Sequence, residues 1–146
     1  LKGVHRACIS CLAPAQCKKT RTMFISATPV LASLDIKRSV GFFSSKLGFT
    51  VSYAVQGEYG IVSNGTIEIH FWACADRKIA EATGCRIHVR GIDDLYAHCM
   101  KHGIVHPNAP LTAKPWGTME FAILDPDGNL ITFYERSRAT GDAAQA

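Results

Sequence analysis

The 146-residue sequence has no apolar run longer than a few residues, so no helix of it is expected to cross a membrane. It has no Gly-rich phosphate loop and no Gly-x-Ser-x-Gly elbow, which removes the commonest nucleotide and serine-hydrolase readings. Its 12 glycines and 6 prolines are ordinary, which excludes collagen-like and Pro/Gly-rich disordered chains. Acid is missing altogether before Met23, where Lys2, Arg6, Lys18, Lys19 and Arg21 supply the charge. Without those five, 11 basic residues face 12 acidic ones, and the overall +4 becomes −1 from Met23 onward. That body carries no basic stripe with interleaved aromatics, so no nucleic-acid partner is expected.

What is present fits one domain of ordinary size with a real core, at 47% hydrophobic and 19% charged residues. Residues 1–22 read as a flexible leader that need not be native, because compact sequence begins right after Met23. The leader holds His5, Cys8, Cys11 and Cys17, half of a zinc-site pattern without the bulky flanks that a folded site packs against. Pro14 and Gln16 interrupt it as a signal peptide, so cytoplasm is the default address. Cys74, Cys85 and Cys99 have no motif spacing and read as reduced, buried thiols.

Along the body, Phe24–Ala32 reads as a strand, with Pro29 marking an edge or bulge. Ile36, Val40, Phe43 and Leu47 recur at helical spacing, with Asp35 before them and Gly48 after. Strands follow over Phe49–Val55, Tyr59–Ser63 and Thr66–Ala73, the last two joined at Asn64-Gly65. In the third, Ile67, Ile69 and Phe71 share one face, and Glu68, His70 and Trp72 the other. Asp76–Ala82 is a short bridge. The pattern then restarts: a strand over Cys85–Arg90 with Arg86, His88 and Arg90 on one face, and a helix from Asp93-Asp94 ended by Gly103. A short strand at Ile104–His106 and an edge piece at Leu111–Ala113 come next, then strands Met119–Leu124 and Asn129–Tyr134. The order β-α-β-β-β is thus used twice, in modules spanning about 26–75 and 84–136, before a frayed tail over 137–146. The fold class is α+β.

Ser39-Val40-Gly41-Phe42-Phe43, closing in Lys46-Leu47-Gly48-Phe49, resembles the first helix of the vicinal-oxygen-chelate superfamily. The run from Pro115-Trp116-Gly117 through Glu120-Phe121 to Asp125-Pro126-Asp127-Gly128-Asn129 is similar to the bleomycin-resistance branch of that glyoxalase/bleomycin resistance/dioxygenase family. The likeness covers about residues 26 to 136. It implies two βαβββ modules curling into open-barrel sheets, paired or strand-swapped in a homodimer. It also implies a groove that binds a small organic molecule, an antibiotic among the candidates, by sequestration. The alternative within the same superfamily is a metal-dependent lyase, dioxygenase or thiol transferase.

By resemblance, the enzymes' metal ligands map to Thr28, Glu68, Arg86 and Thr132, of which only Glu68 suits a cation. The expectation is therefore a metal-free binder with no cofactor. A rebuilt site from Glu68, His70 and His88 is the fallback if a metal is bound. Two roles are open for Glu68: an ion pair with Arg86 across the cavity floor, or direct contact with the ligand. The expected ligand-contacting residues are Trp116, Trp72, Glu68, Arg86, His70, His88 and Tyr134, with Phe49 or Tyr53 adding flat surface. Phe42, Phe43, Phe121 and Phe133 are assigned to the core. Bleomycin is cationic, so a cavity presenting Arg86, His88 and Arg90 points instead to a neutral, amphipathic or anionic ligand.

Overall fold

Pro29 decides where the first strand begins. Its carbonyl accepts from the His70 amide at 3.0 Å, but it has no N–H to give to a ladder. In the computed structural model, which describes residues 23–136, strand β1 therefore covers only Val30–Ser33. The strand expected from Phe24 is shortened, and Phe24 itself is 98% exposed.

Helix α1 (Ile36–Leu47) has the ends its sequence asks for. The Asp35 carboxylate accepts from the Arg38 amide, and Gly48 closes the helix in the left-handed region at φ 69°. Strands β2 (Thr50–Val55), β3 (Tyr59–Asn64) and β4 (Ile67–Ala73) follow, then the short helix α2 (Arg77–Glu81), capped by Asp76. The second half contains β5 (Gly84–His88), α3 (Ile92–Lys101), β6 (Thr112–Lys114), β7 (Thr118–Leu124) and β8 (Leu130–Arg136). Helix α3 starts one residue before the expected Asp93, because the Glu135 carboxylate receives the Ile92 amide and Ile92 is buried. Ile104–His106 is no strand; a single bridge joins Val105 to Ile123.

The two halves have the same topology. The sheets run β1-β4-β3-β2 and β5-β8-β7-β6, each opening with a parallel pair and continuing antiparallel. Both are open four-stranded sheets. Alternation sorts their faces as the sequence predicts: Val62, Ile69 and Phe71 are fully buried in the first, and Phe121, Ile123 and Ile131 nearly so in the second. Both sets join one core that also takes Phe43 and Ile92 from the helices. Phe49, expected to add ligand surface, is buried there against the Phe43 ring.

The tip of the β7–β8 hairpin does more than turn the chain. Asp125 accepts from the Asp127 and Asn129 amides and from the Asn129 side chain. Burial pushes the Asp125 carboxyl above the usual carboxylate range against the pull of those bonds. Asn129 also donates to the Ala32 carbonyl at 2.8 Å. Asp127, 0% exposed, accepts from the Leu34 amide and the Ser39 hydroxyl, both at 3.0 Å, and pairs with Arg38. This tip therefore plugs into the β1–α1 junction and ties the second half to the first.

Candidate functional site

Among the described residues, each sheet has one face without a helix. A Cβ added to Gly60 would meet Val40 and Ile36, so α1 lies over the Gly60 face of the first sheet. Ring contact between Tyr96 and Phe121 puts α3 over the Phe121 face of the second. The polar residues singled out from the sequence occupy the opposite faces.

On the first sheet, Glu68, His70 and Trp72 alternate along β4, with Tyr59 and Ile61 beside them on β3. His70 is held from both sides: Nε2 lies 2.5 Å from the Glu68 carboxylate and Nδ1 2.9 Å from the Tyr59 hydroxyl. A carboxylate only accepts, so Nε2–H donates to Glu68 and, with a neutral ring, the Tyr59 hydroxyl donates to Nδ1. Trp72 is 39% exposed next to this relay.

On the second sheet, Arg86, His88, Thr132, Tyr134 and Glu120 share the helix-free face. Glu120 is its hub. Arg86 forks onto it with Nη1 and Nη2 at 3.2 and 2.7 Å, the Thr118 hydroxyl donates at 2.6 Å, and the Trp116 indole N–H donates at 2.8 Å. The Arg86 guanidinium also lies 5.0 Å above the Tyr134 ring, and the His88 ring stacks on Tyr134. The Glu68–Arg86 pair does not form. Arg86 has the nearer, buried Glu120, and Glu68 has His70 two residues along its own strand. Glu120 is not among the ligand-contacting residues expected from the sequence, although its face is legible there: Thr118, Glu120 and Ala122 alternate with Met119, Phe121 and Ile123.

The Arg86 hydrogen bonds, aided by Thr118 and Trp116, hold the Glu120 carboxyl down to about 2, against the desolvation that opposes ionisation. A folded-state pKa below the ordinary 4.5 makes the stabilisation full above about pH 4.5 and lost as pH falls toward 2. Arg86 is 52% exposed, so the gain is discounted to about 1–2 kcal/mol. Urea midpoints should show wild type ahead of Glu120→Gln by that margin at pH 7 and level with it near pH 2. Parallel pH profiles would remove the ion pair as a source of stability.

Trp116 is exposed for a local reason. Lys114 and Thr118 pair across a three-residue loop, the Gly117 amide donates to the Lys114 carbonyl, and Gly117 takes φ 82°. Proline and glycine meet the backbone demands of this turn and leave the middle side chain free of them. The indole is 64% exposed, yet its N–H is fixed on a buried carboxylate.

A cavity of about 520 Å³ lies between the halves, lined by residues 25–29, 66–68 and 86–88. It brings together Thr28, Glu68, Arg86 and His88, three of the four positions mapped to metal ligands among them. Thr132 lines a separate 390 Å³ hollow that shares only Arg86 with it. The donor set suits a divalent metal poorly, because a guanidinium occupies one position and hydroxyls two. No three-ligand cluster occurs among the described residues, so Glu68, His70 and His88 do not form the fallback site. Neither Trp72 nor Trp116 lines the 520 Å³ cavity. The leader ligands His5, Cys8, Cys11 and Cys17 lie outside the described residues.

Comparison with known proteins agrees with this architecture. Residues 27–133 match the family model for the glyoxalase/bleomycin resistance protein/dioxygenase superfamily. Bleomycin resistance proteins of Geobacillus stearothermophilus and Staphylococcus aureus are each 35% identical over 132 residues, covering 79% of this chain and 99% of theirs. The solved bleomycin-binding protein of bleomycin-producing Streptomyces verticillus, complexed with copper(II)-bleomycin, superposes with a TM-score of 0.69. It is 27% identical and covers 77% of this chain and 97% of that one. With a repeated β-α-β-β-β topology, a family match over most of the body and relatives aligned nearly end to end, the chain belongs to the glyoxalase/bleomycin resistance protein/dioxygenase superfamily.

Proposed function

We propose that this chain binds a bleomycin-type antibiotic and withholds it by sequestration, without a metal or other cofactor. The observation that carries the reading is Trp116, an indole left in solvent yet fixed by a bond to Glu120. A ring held before the ligand arrives loses little freedom on stacking. The relatives' names supply the drug class. Trp72, Glu68, His70, His88 and Tyr134 are the further contacts in this reading, with Arg86 acting mainly through Glu120.

Charge now argues differently from the sequence reading. Arg86 is neutralised by Glu120, while Glu68, 49% exposed at its side chain, has among the described residues only a histidine as ion partner. That leaves a carboxylate for a cationic ligand and supports a drug of the bleomycin kind.

The proposal includes a homodimer in the cytoplasm. Val30, Tyr53, Trp72 and Leu130 are at least 39% exposed on the helix-free faces, surface that a second copy would cover. The free thiols Cys74, Cys85 and Cys99 suit a reducing compartment.

Titrating bleomycin while following tryptophan fluorescence, with sedimentation of the same samples, tests the reading. Saturable quenching on a dimer, and drug recovered chemically intact after denaturing the protein, is the expected result. No binding at millimolar drug, or recovery of a metal-dependent reaction product, would overturn it.

A further inference from the structure

We infer that His98, in the last turn of α3, and His102, its C-cap, form an open binding site for a divalent transition metal. The two stand four residues apart, the spacing that places side chains on one side of a helix. Their rings are 4.3 Å apart between centroids, with planes tilted by 38°.

The hydrogen bonds fix which nitrogens are available. His98 Nε2 lies 2.7 Å from the Lys46 carbonyl, and His102 Nδ1 lies 2.9 Å from the His98 carbonyl. A carbonyl only accepts, so each of these nitrogens carries its proton. In the neutral rings, the lone pairs are therefore on His98 Nδ1 and His102 Nε2. A ring whose second N–H is spent on a backbone carbonyl is the usual state of a metal-bound histidine, tautomer already chosen. Two imidazole nitrogens on one ion, at about 2.1 Å each, stand roughly 3 Å apart, which is on the scale of the 4.3 Å between these ring centroids.

The backbone adds a second, electrostatic argument. Lys46 lies in the last turn of α1, and His98 and His102 lie at the end of α3. Two helix C-termini, each with partial negative charge, thus flank this pair of rings. Imidazole selects zinc, copper or nickel over magnesium or calcium. The neighbouring Cys99 is no ligand, because it is wholly buried in the core. With only two protein ligands, the ion would keep open positions for water or for a donor from another molecule.

The test is nickel titration of the full chain, read residue by residue in histidine-ring NMR spectra. The rings of His98 and His102 should broaden first and together, at nickel concentrations at least tenfold below those that affect His106. In His98→Ala, the His102 ring should need about tenfold more nickel. His102→Gln should act in the same way on His98. Site-by-site reading keeps the leader cysteines from being mistaken for this pair. Broadening of His98 and His102 no earlier than His106, or an unchanged His102 response in His98→Ala, would overturn the inference.

Discussion

Asp127→Ala should lower the unfolding free energy by about 3 kcal/mol, the largest stability loss expected from a single polar substitution here. The carboxylate is fully buried and serves the Leu34 amide, the Ser39 hydroxyl and Arg38 at once. Removing it leaves the Leu34 amide without its acceptor, and a buried unpaired donor costs about 1–3 kcal/mol. Ser39 keeps a partner in the Ser33 hydroxyl at 2.7 Å, and Arg38 is half exposed and can turn to water, which caps the loss. Asp127→Asn keeps the shape and one acceptor oxygen, so it should cost less than half as much. Urea unfolding followed by circular dichroism decides between these values. Equal midpoints for wild type and Asp127→Ala would mean that the hairpin tip does not tie the halves together.

Trp116→Ala should do the opposite: leave stability within about 0.5 kcal/mol and weaken bleomycin binding about 10- to 100-fold. An indole 64% exposed contributes little to the core, and Glu120 retains Arg86 and Thr118 when the indole N–H is gone. The ligand, by contrast, loses a flat surface held in place. Trp116→Phe separates plane from pinning. It keeps an aromatic face but cannot donate to Glu120, so its affinity should fall between wild type and alanine. Calorimetry on the three proteins gives the order. Alanine binding as tightly as wild type would take Trp116 out of the site.

Much of this molecule is readable one residue at a time. Gly48 after Leu47 ends α1, and Pro115, Trp116 and Gly117 make the loop before β7, because turn geometry depends on local backbone freedom. Alternation alone put Glu68, His70 and Trp72 on the face away from Ile69 and Phe71. Strand starts were less legible: residues 24–29 look as apolar as a strand, yet the ladder can begin only after Pro29.

Pairing across the chain was not legible at all. The sequence by itself determined the doubled β-α-β-β-β order, the faces of the strands and the turns, since each depends on neighbours within a few residues. Only the tertiary structure decided that Arg86 belongs to Glu120 and not to Glu68, because that choice follows from β5 and β7 flanking β8. It also decided that Asp127 and Asn129 reach back about 90 residues to the start of the fold. Read locally, Asp125-Pro126-Asp127-Gly128 is only a good turn. Burial makes it a junction, because a polar group removed from water must find its partner wherever the packed chain brings one.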